Sequence, residues 1–93
     1  MDKVYIAKKT VIPEDDERYT IILGVFAEKE DASVMVKKLL TEVLEDIDVS
    51  YDFSSNIEEL QNKITTEWIP KWAAPRFEIT SHEVQKGGNE NGQ

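Results

Sequence analysis

The sequence contains no cysteine and only one histidine among its 93 residues. Without cysteine, the chain has no disulfide, no thiolate metal site and no cysteine nucleophile. A single histidine leaves almost no basis for a histidine metal site or a Ser-His-Asp triad. No apolar run approaches the roughly 20 residues of a membrane-spanning helix, and the chain does not open with the basic and then apolar segments of a signal peptide. We therefore expect a soluble, cytoplasmic protein that is not inserted in a membrane.

Basic residues are also scarce relative to acidic ones. Eleven Lys and Arg residues stand against 19 Asp and Glu residues, which gives a formal net charge of −8 at pH 7. The basic residues are scattered, whereas nucleic-acid binding needs a basic face that neutralises phosphates. The composition therefore argues against direct binding to DNA or RNA. An acidic chain attracts basic partners over long distances, although a charge of this size also serves solubility alone.

The N-terminal part of the chain predicts two β-strands joined by a charged turn. Residues 4–12 are rich in β-branched side chains and stop at Pro13. Residues 19–26 are more apolar, and the short connection between the two segments indicates an antiparallel hairpin. Gly24 lies inside the second strand, where glycine indicates a bulge or a close approach of the backbone.

The middle of the chain predicts two helices. Over residues 29–46, apolar side chains recur at the spacing of a helix packed on a core. Ser55 and Glu58 then have the spacing of a capping box, with Ser55 as the N-cap of a second helix. Pro70 ends that helix, because the residue before a proline avoids the helical conformation. The apolar stripes consist of Ala32, Met35, Val36, Leu39, Leu40, Val43 and Ile47 in the first helix and of Ile57, Leu60, Ile64 and Trp68 in the second.

A third strand completes the predicted fold. Residues 76–84 begin with alternating apolar and polar side chains, as in a strand with one buried face. The order β-β-α-α-β predicts an α+β fold, a three-stranded antiparallel sheet with two helices packed on one face. We expect a single domain over residues 1–85 and a disordered C-terminal tail over residues 86–93. Charged residues such as Lys8 and Lys9 are expected to protect one sheet edge, unless an edge pairs in a dimer.

Several short segments together follow a pattern. The chain opens with K-V-Y-I at residues 3–6, continues with I-L-G-V-F at residues 22–26 and an acidic helix start containing Ala32, and closes with F-E-I-T-S-H-E-V at residues 77–84. This pattern resembles small bacterial and phage domains of unknown function. The resemblance covers the two ends of the chain and the first helix, and its residues are mainly core and turn positions. It implies a bacterial or phage setting, and it implies no catalytic residue.

The sequence offers little that could catalyse a reaction. Residues 14–17 form the densest carboxylate cluster, and carboxylate oxygens hold Mg²⁺ or Ca²⁺. The cluster lacks the spacing and the glycine of a calcium loop, so a solvated turn is the simpler interpretation. His82 and Glu83 are neighbours on a strand and therefore point to opposite faces. No serine has an evident base. We predict that the protein is not an enzyme and that it has no metal site and no cofactor.

Trp72 differs from the other aromatic residues. Trp68 and Phe77 fit apolar stripes and are expected in the core, whereas Trp72 lies between two prolines and outside any periodic pattern. Its neighbours Lys71 and Arg76 are basic, and Trp and Arg are enriched at the energetic centres of protein interfaces. We weigh an exposed anchor at Trp72 against simple packing in the core.

These features favour a non-enzymatic acidic protein that acts through a protein interface. Its concrete form is a phage-encoded inhibitor of a host nucleic-acid-processing or defence enzyme, since such enzymes expose basic channels. Acidic residues including Asp15, Asp16 and Glu17 would steer the chain to a basic partner. The close contact would come from Trp72 with Lys71 and Arg76, or from an open sheet edge.

Two alternatives remain open from the sequence. One is a pocket that binds a small molecule or a signalling nucleotide, built within the fold or across a homodimer. Lys8, Lys9, Lys71 and Arg76 would then contact phosphate, with an aromatic ring stacked on the base. The other alternative is a metal-dependent hydrolase built on the acidic turn.

Overall fold

A computed structural model describes residues 2–15 and 17–84. They form strands β1 (Lys3–Val11), β2 (Tyr19–Phe26) and β3 (Arg76–Glu83), helices α1 (Lys29–Asp46) and α2 (Ile57–Glu67), and a short 3₁₀ helix at Lys71–Ala73. The predicted α+β fold in β-β-α-α-β order is confirmed. The tail predicted over residues 86–93 lies outside the described residues. Within the described ranges, no helix has both the length and the apolar character needed to cross a membrane.

The sheet is antiparallel and has the order β2-β1-β3. β1 is therefore the central strand, and β2 and β3 are the two edges. Lys8 pairs with Ile22 on one side and with Glu78 on the other. The expectation that Lys8 and Lys9 protect an edge is wrong, because both residues lie on the central strand.

A β-bulge interrupts the pairing of β1 with β2, as the glycine in this strand indicated. Ala7 pairs with Gly24 and Lys8 pairs with Ile22, so Leu23 is the extra residue. A Cβ atom at position 24 would lie 2.9 Å from the ring of Phe26. The position therefore suits glycine because a larger residue would displace that ring.

Both helices cover one face of the sheet and enclose the core. Ala7 and Phe77 contribute to this core from the sheet. Phe77 pairs with Lys9, which is two residues from Ala7, so the side chains of Ala7 and Phe77 lie on the same, helix-covered face. The buried apolar cluster consists of Ala7, Val36, Leu40, Leu44, Leu60, Ile64, Ala74 and Phe77. The second face of the sheet, which we call the open face, carries Val4, Ile6, Lys8 and Thr10 of β1 and the residues paired with them.

A capping box begins α2, one residue later than predicted. The side-chain oxygen of Asn56 accepts a hydrogen bond of 2.8 Å from the Glu59 amide, and the Glu59 carboxylate accepts one of 2.9 Å from the Asn56 amide. Ser55 is therefore not the cap, and Glu58 is not its partner. Ser55 and Asn56 are each followed by a glutamate three residues later, and asparagine caps a helix as well as serine does, so the sequence pattern fits either residue.

The two helices run in the same direction across the sheet. α1 begins after the end of β2, and its residue Val43 lines a small cavity with Lys9 near the end of β1. The connector over residues 47–56 then returns beside α1, since the Lys37 ammonium donates a hydrogen bond to the Phe53 carbonyl. α2 starts from this return and leads into β3, which is antiparallel to β1.

This arrangement gives the molecule two distinct ends. Thr10 pairs with Arg76, so the β1–β2 turn at residues 12–18 and the loop at residues 68–75 leave the sheet at the same end. Both helices terminate there as well. We call this the hairpin end, and we call the end where α1 and α2 begin the opposite end.

Candidate protein-binding surface

The loop between α2 and β3 displays two large apolar side chains to solvent. Ile69 is 91% exposed and Trp72 is 57% exposed. Pro70 and Lys71 between them are exposed as well. A 3₁₀ turn forms this loop, with hydrogen bonds from the Ala73 amide to the Pro70 carbonyl (3.0 Å) and from the Ala74 amide to the Lys71 carbonyl (3.2 Å). We call the surface of Ile69 and Trp72 the Trp72 patch.

The Gln61 side chain of α2 holds this loop to the body of the protein. Its amide nitrogen donates to the Pro75 carbonyl at 2.9 Å, and its amide oxygen accepts from the Phe77 amide at 2.7 Å. Ala74 and Phe77 are themselves buried, with exposed fractions of 2% and 6%. The loop that carries the Trp72 patch is therefore fixed where it joins β3, which limits the conformational entropy lost when a partner binds.

Carboxylates lie on three elements at the hairpin end, which also carries the exposed basic side chains of Arg18, Lys71 and Arg76. Glu14, Asp15 and Glu17 are exposed on the β1–β2 turn, and Asp46 and Glu67 are the last residues of α1 and α2. Asp16, the third acidic residue proposed for partner binding, lies outside the described residues. Neither of these fully described helices has a basic residue in its last turn. The carboxylates at their ends thus meet the negative end of the helix dipole without a basic residue in the same turn.

Asp48 is the one non-glycine residue of the described chain with a positive φ angle. Its φ angle is 57°, in the left-handed region that usually belongs to glycine. The Asp48 amide donates to the Glu45 carbonyl (3.1 Å) and the Val49 amide to the Leu44 carbonyl (2.9 Å), which is the Schellman pattern that closes α1. Aspartate tolerates this conformation better than most residues, but it adds a negative charge at a helix C-terminus. The sequence therefore retains a carboxylate where glycine would be favoured for stability.

The basic residues considered for partner or phosphate contacts lie on different surfaces. Lys71 is exposed beside Trp72, and Arg76 is exposed at the start of β3 on the open face. Lys8 is also on the open face, but Lys9 points to the other side, where its ammonium lies 5.6 Å from the centroid of the Phe77 ring. These four side chains therefore do not line one phosphate-binding pocket.

No metal-binding cluster appears in the part of the chain that the structure describes. These residues contain no group of three or more His, Asp or Glu side chains placed to hold an ion. His82 is exposed on the edge strand β3, and its Nε2 atom lies 3.0 Å from the Thr80 hydroxyl.

Two shifted pKa values lie on the connector between the helices. The pKa of Tyr51 is raised, chiefly because its hydroxyl donates a hydrogen bond to the Glu45 carboxylate. The pKa of Asp52 is lowered, chiefly by the Ser54 amide and then by the Ser54 hydroxyl, which donate at 2.9 and 2.8 Å. The first interaction ties the connector to α1, and the second forms a turn within the connector.

A second exposed apolar surface runs along the edge strand β2. Ile22 is 62% exposed and Val25 is 58% exposed, and Tyr19 and Ile21 are also largely exposed. The sequence YTIILGVF of this strand contains no charged residue and no proline. We call this surface the β2 edge. Sequence reasoning recognised the strand but could not tell that it was an edge, because the strand order is not encoded in a local pattern.

Sequence reasoning also missed Ile69, the second exposed apolar residue on the loop of Trp72. The available signal was its position beside Pro70 and outside the apolar stripe of α2, which is the same signal that singled out Trp72. In comparisons with known proteins, no family model, no curated protein and no solved structure matches this chain. The surfaces described above therefore carry the functional argument by themselves.

Proposed function

We propose that this chain is a non-enzymatic binding protein that engages a basic protein surface through its hairpin end. The observation that carries the proposal is the exposure of Ile69 and Trp72 on a loop fixed by Gln61. Tryptophan is among the residues that contribute most to the binding energy of interfaces. An exposed apolar side chain on a loop whose backbone is partly fixed loses less conformational entropy on binding than one on a mobile loop.

The charge around the patch defines the chemistry of the partner. Carboxylates stand on the β1–β2 turn, at the end of α1 and at the end of α2. A partner with an apolar pocket surrounded by Lys and Arg would cover Trp72 and face these carboxylates. Complementary charge of this kind raises the association rate and selects the partner. Lys71, within the patch, would then pair with an acidic group on the same partner.

The strained Asp48 supports this choice of surface. A carboxylate at the end of α1 in a left-handed conformation lowers stability on two counts. Such local cost is typical of positions that serve binding. Enzymes that handle nucleic acid expose basic channels, so a phage-encoded inhibitor of a host nucleic-acid-processing or defence enzyme is the specific form that we propose.

The proposal is tested by comparing bait proteins that differ at one aromatic residue. Wild type, Trp72→Ala and Phe53→Ala are each immobilised and exposed to a bacterial lysate at low salt, and the retained proteins are identified by mass spectrometry. Phe53 is a matched control because it is also an exposed aromatic, at 73%, but it lies on the connector. A retained protein is then purified, and its affinity for all three baits is measured by calorimetry.

We expect a basic protein whose affinity falls about 30-fold with Trp72→Ala, a loss of about 2 kcal/mol typical of an interface hot spot, and is unchanged with Phe53→Ala. The midpoint of thermal unfolding should shift by less than about 3 °C in Trp72→Ala, because the side chain is mainly exposed. Equal retention of every protein by wild type and Trp72→Ala would contradict the proposal. A large loss of stability in that variant would instead assign Trp72 to the core.

A further inference from the structure

The two edges of the sheet differ in how they are protected against pairing. β3 has the sequence RFEITSHE, in which Arg76, Glu78, His82 and Glu83 place charged or titratable side chains along the edge. β2 has the sequence YTIILGVF, which contains no charged or titratable side chain except the tyrosine and no proline. Charged residues and prolines on an edge strand prevent its unpaired backbone groups from recruiting another strand. The β2 edge is therefore open to a further strand, whereas the β3 edge is protected.

The bulge at Leu23 does not remove this exposure. It lies opposite the junction of Ala7 and Lys8 and divides β2 into two parts. The part from Tyr19 to Ile22 consists of four consecutive exposed residues. Leu23 and Phe26 instead pack against the core. The regular exposed stretch at Tyr19–Ile22 is thus the segment best placed to pair.

We infer that the β2 edge pairs antiparallel with the β2 edge of a second copy of this chain. The composition of the edge selects this occupant, because none of the acidic residues that give the chain its net charge of −8 lies on β2. An uncharged edge gains nothing from a basic partner, and a second copy offers an equally uncharged edge. Two identical edges related by a two-fold axis form a self-complementary contact, which is the commonest geometry of homodimers.

The pairing creates a continuous six-stranded sheet in the order β3-β1-β2-β2-β1-β3. A two-fold axis perpendicular to the sheet keeps each face on its own side, so the helices of both copies lie on one face. Ile22 and Val25 on the open face of each copy then contribute to an apolar strip that crosses the junction. The Trp72 patches belong to the α2–β3 loops, away from the paired edges, so the dimer presents two of them.

The oligomeric state is tested by sedimentation equilibrium over a concentration series, on the full chain and on single variants. Ile22→Lys and Ile22→Glu place a positive and a negative charge on the β2 edge. The first reduces the net negative charge of the chain and the second increases it, so a loss of dimer in both variants is due to disrupted pairing and not to long-range repulsion. His82→Lys is the matched control, because it adds a charge on the open face at the β3 edge. Ile6→Lys adds one on the open face of the central strand, and circular dichroism checks the folding of each variant.

We expect a dimer whose dissociation constant rises about a hundredfold in both Ile22 variants, since each dimer contains two substitutions that each cost about tenfold. His82→Lys and Ile6→Lys should change it by less than about threefold. A wild-type monomer at every concentration overturns the inference. A dimer that is lost in Ile6→Lys or His82→Lys but kept in both Ile22 variants also overturns it, because the contact then uses the open face or β3. Trp72→Ala leaves this dimer intact, so failure here is distinct from failure of the proposed function.

Discussion

The Trp72 patch and the β2 edge are both exposed and apolar, but their surroundings differ. Ile69 and Trp72 stand at an end of the molecule that carries carboxylates on three elements. The β2 edge contains no charge along eight residues. Nearby carboxylates favour a partner with basic residues, whereas we propose that an uncharged edge pairs with the uncharged edge of a second copy. The difference teaches that the exposure of an apolar surface does not by itself indicate the kind of molecule that binds there. The charge of the residues around the surface is the further property on which we base the two proposals.

The largest expected effect comes from removing the Gln61 side chain, whose hydrogen bonds to Pro75 and Phe77 hold the loop of the Trp72 patch and do not involve the β2 edge. In Gln61→Ala, the Phe77 amide and the Pro75 carbonyl lose their side-chain partner. We expect the free energy of unfolding to fall by about 2 kcal/mol, because partly buried backbone groups are left unsatisfied. Urea denaturation measures this loss. Partner affinity should fall as well, while the dimer dissociation constant stays the same, and a change in that constant would show that the two surfaces are coupled.

Salt sharpens the comparison further. Raising the salt concentration from about 50 to about 500 mM screens attraction between the hairpin end and a basic partner. We expect the partner affinity to fall about tenfold or more, mainly through a slower association rate. The dimer should be unchanged or tighter, since screening reduces repulsion between two chains of net charge −8. Surface plasmon resonance and sedimentation measure the two responses, and parallel responses would argue against separate occupants.

Substitutions of Asp48 should change the free energy of unfolding and the association rate with a partner in opposite directions. Asp48→Gly relieves the left-handed backbone at φ 57° and removes a carboxylate from the C-terminus of α1. We expect the free energy of unfolding to rise by about 0.5–1 kcal/mol and the association rate with the partner to fall. Asp48→Asn removes the charge and retains tolerance of this conformation, so its gain should be smaller. Destabilisation by Asp48→Gly would show that the carboxylate serves the fold.

The smallest expected effect is the pH dependence of the connector between the two ends. Because the Ser54 amide lowers the pKa of Asp52 below its ordinary value of 3.8, the carboxylate contributes stability above that value. This contribution is lost as the pH falls through the lower folded-state pKa. We expect the difference in thermal midpoint between wild type and Asp52→Ala to shrink from pH 6 to pH 2.5. A constant difference over this range would assign the effect of Asp52 to packing.

Local patterns predicted the elements of the fold well. The apolar stripe of α1 and the β-branched run of β2 gave the bounds of both elements as they are observed, because each pattern reports one buried face. The cap of α2 was placed one residue early, since Ser55 and Asn56 offer equivalent capping oxygens three residues before a glutamate. Such ambiguity is resolved by packing and not by the sequence pattern.

Long-range relations could not be predicted in the same way. The strand order that makes Lys8 central and Ile22 an edge residue depends on where β3 returns. The placement of Trp72 and the acidic turn at the same end of the sheet depends on the same register. Trp72 was distinguishable from the core aromatic residues because it lies between two prolines and outside any periodic pattern. The β2 edge was not, because its apolar residues are equally typical of a buried central strand.

Hydrogen–deuterium exchange of the chain at low and high protein concentration tests most directly the claim that the two surfaces have separate occupants. Strand pairing between two copies should protect the amides of Tyr19–Phe26 as concentration rises. The amides of residues 69–73 should exchange equally at both concentrations, since the Trp72 patch stays free for a partner. Concentration-dependent protection at residues 69–73, or along Arg76–Glu83 in place of β2, would contradict this division of the surface.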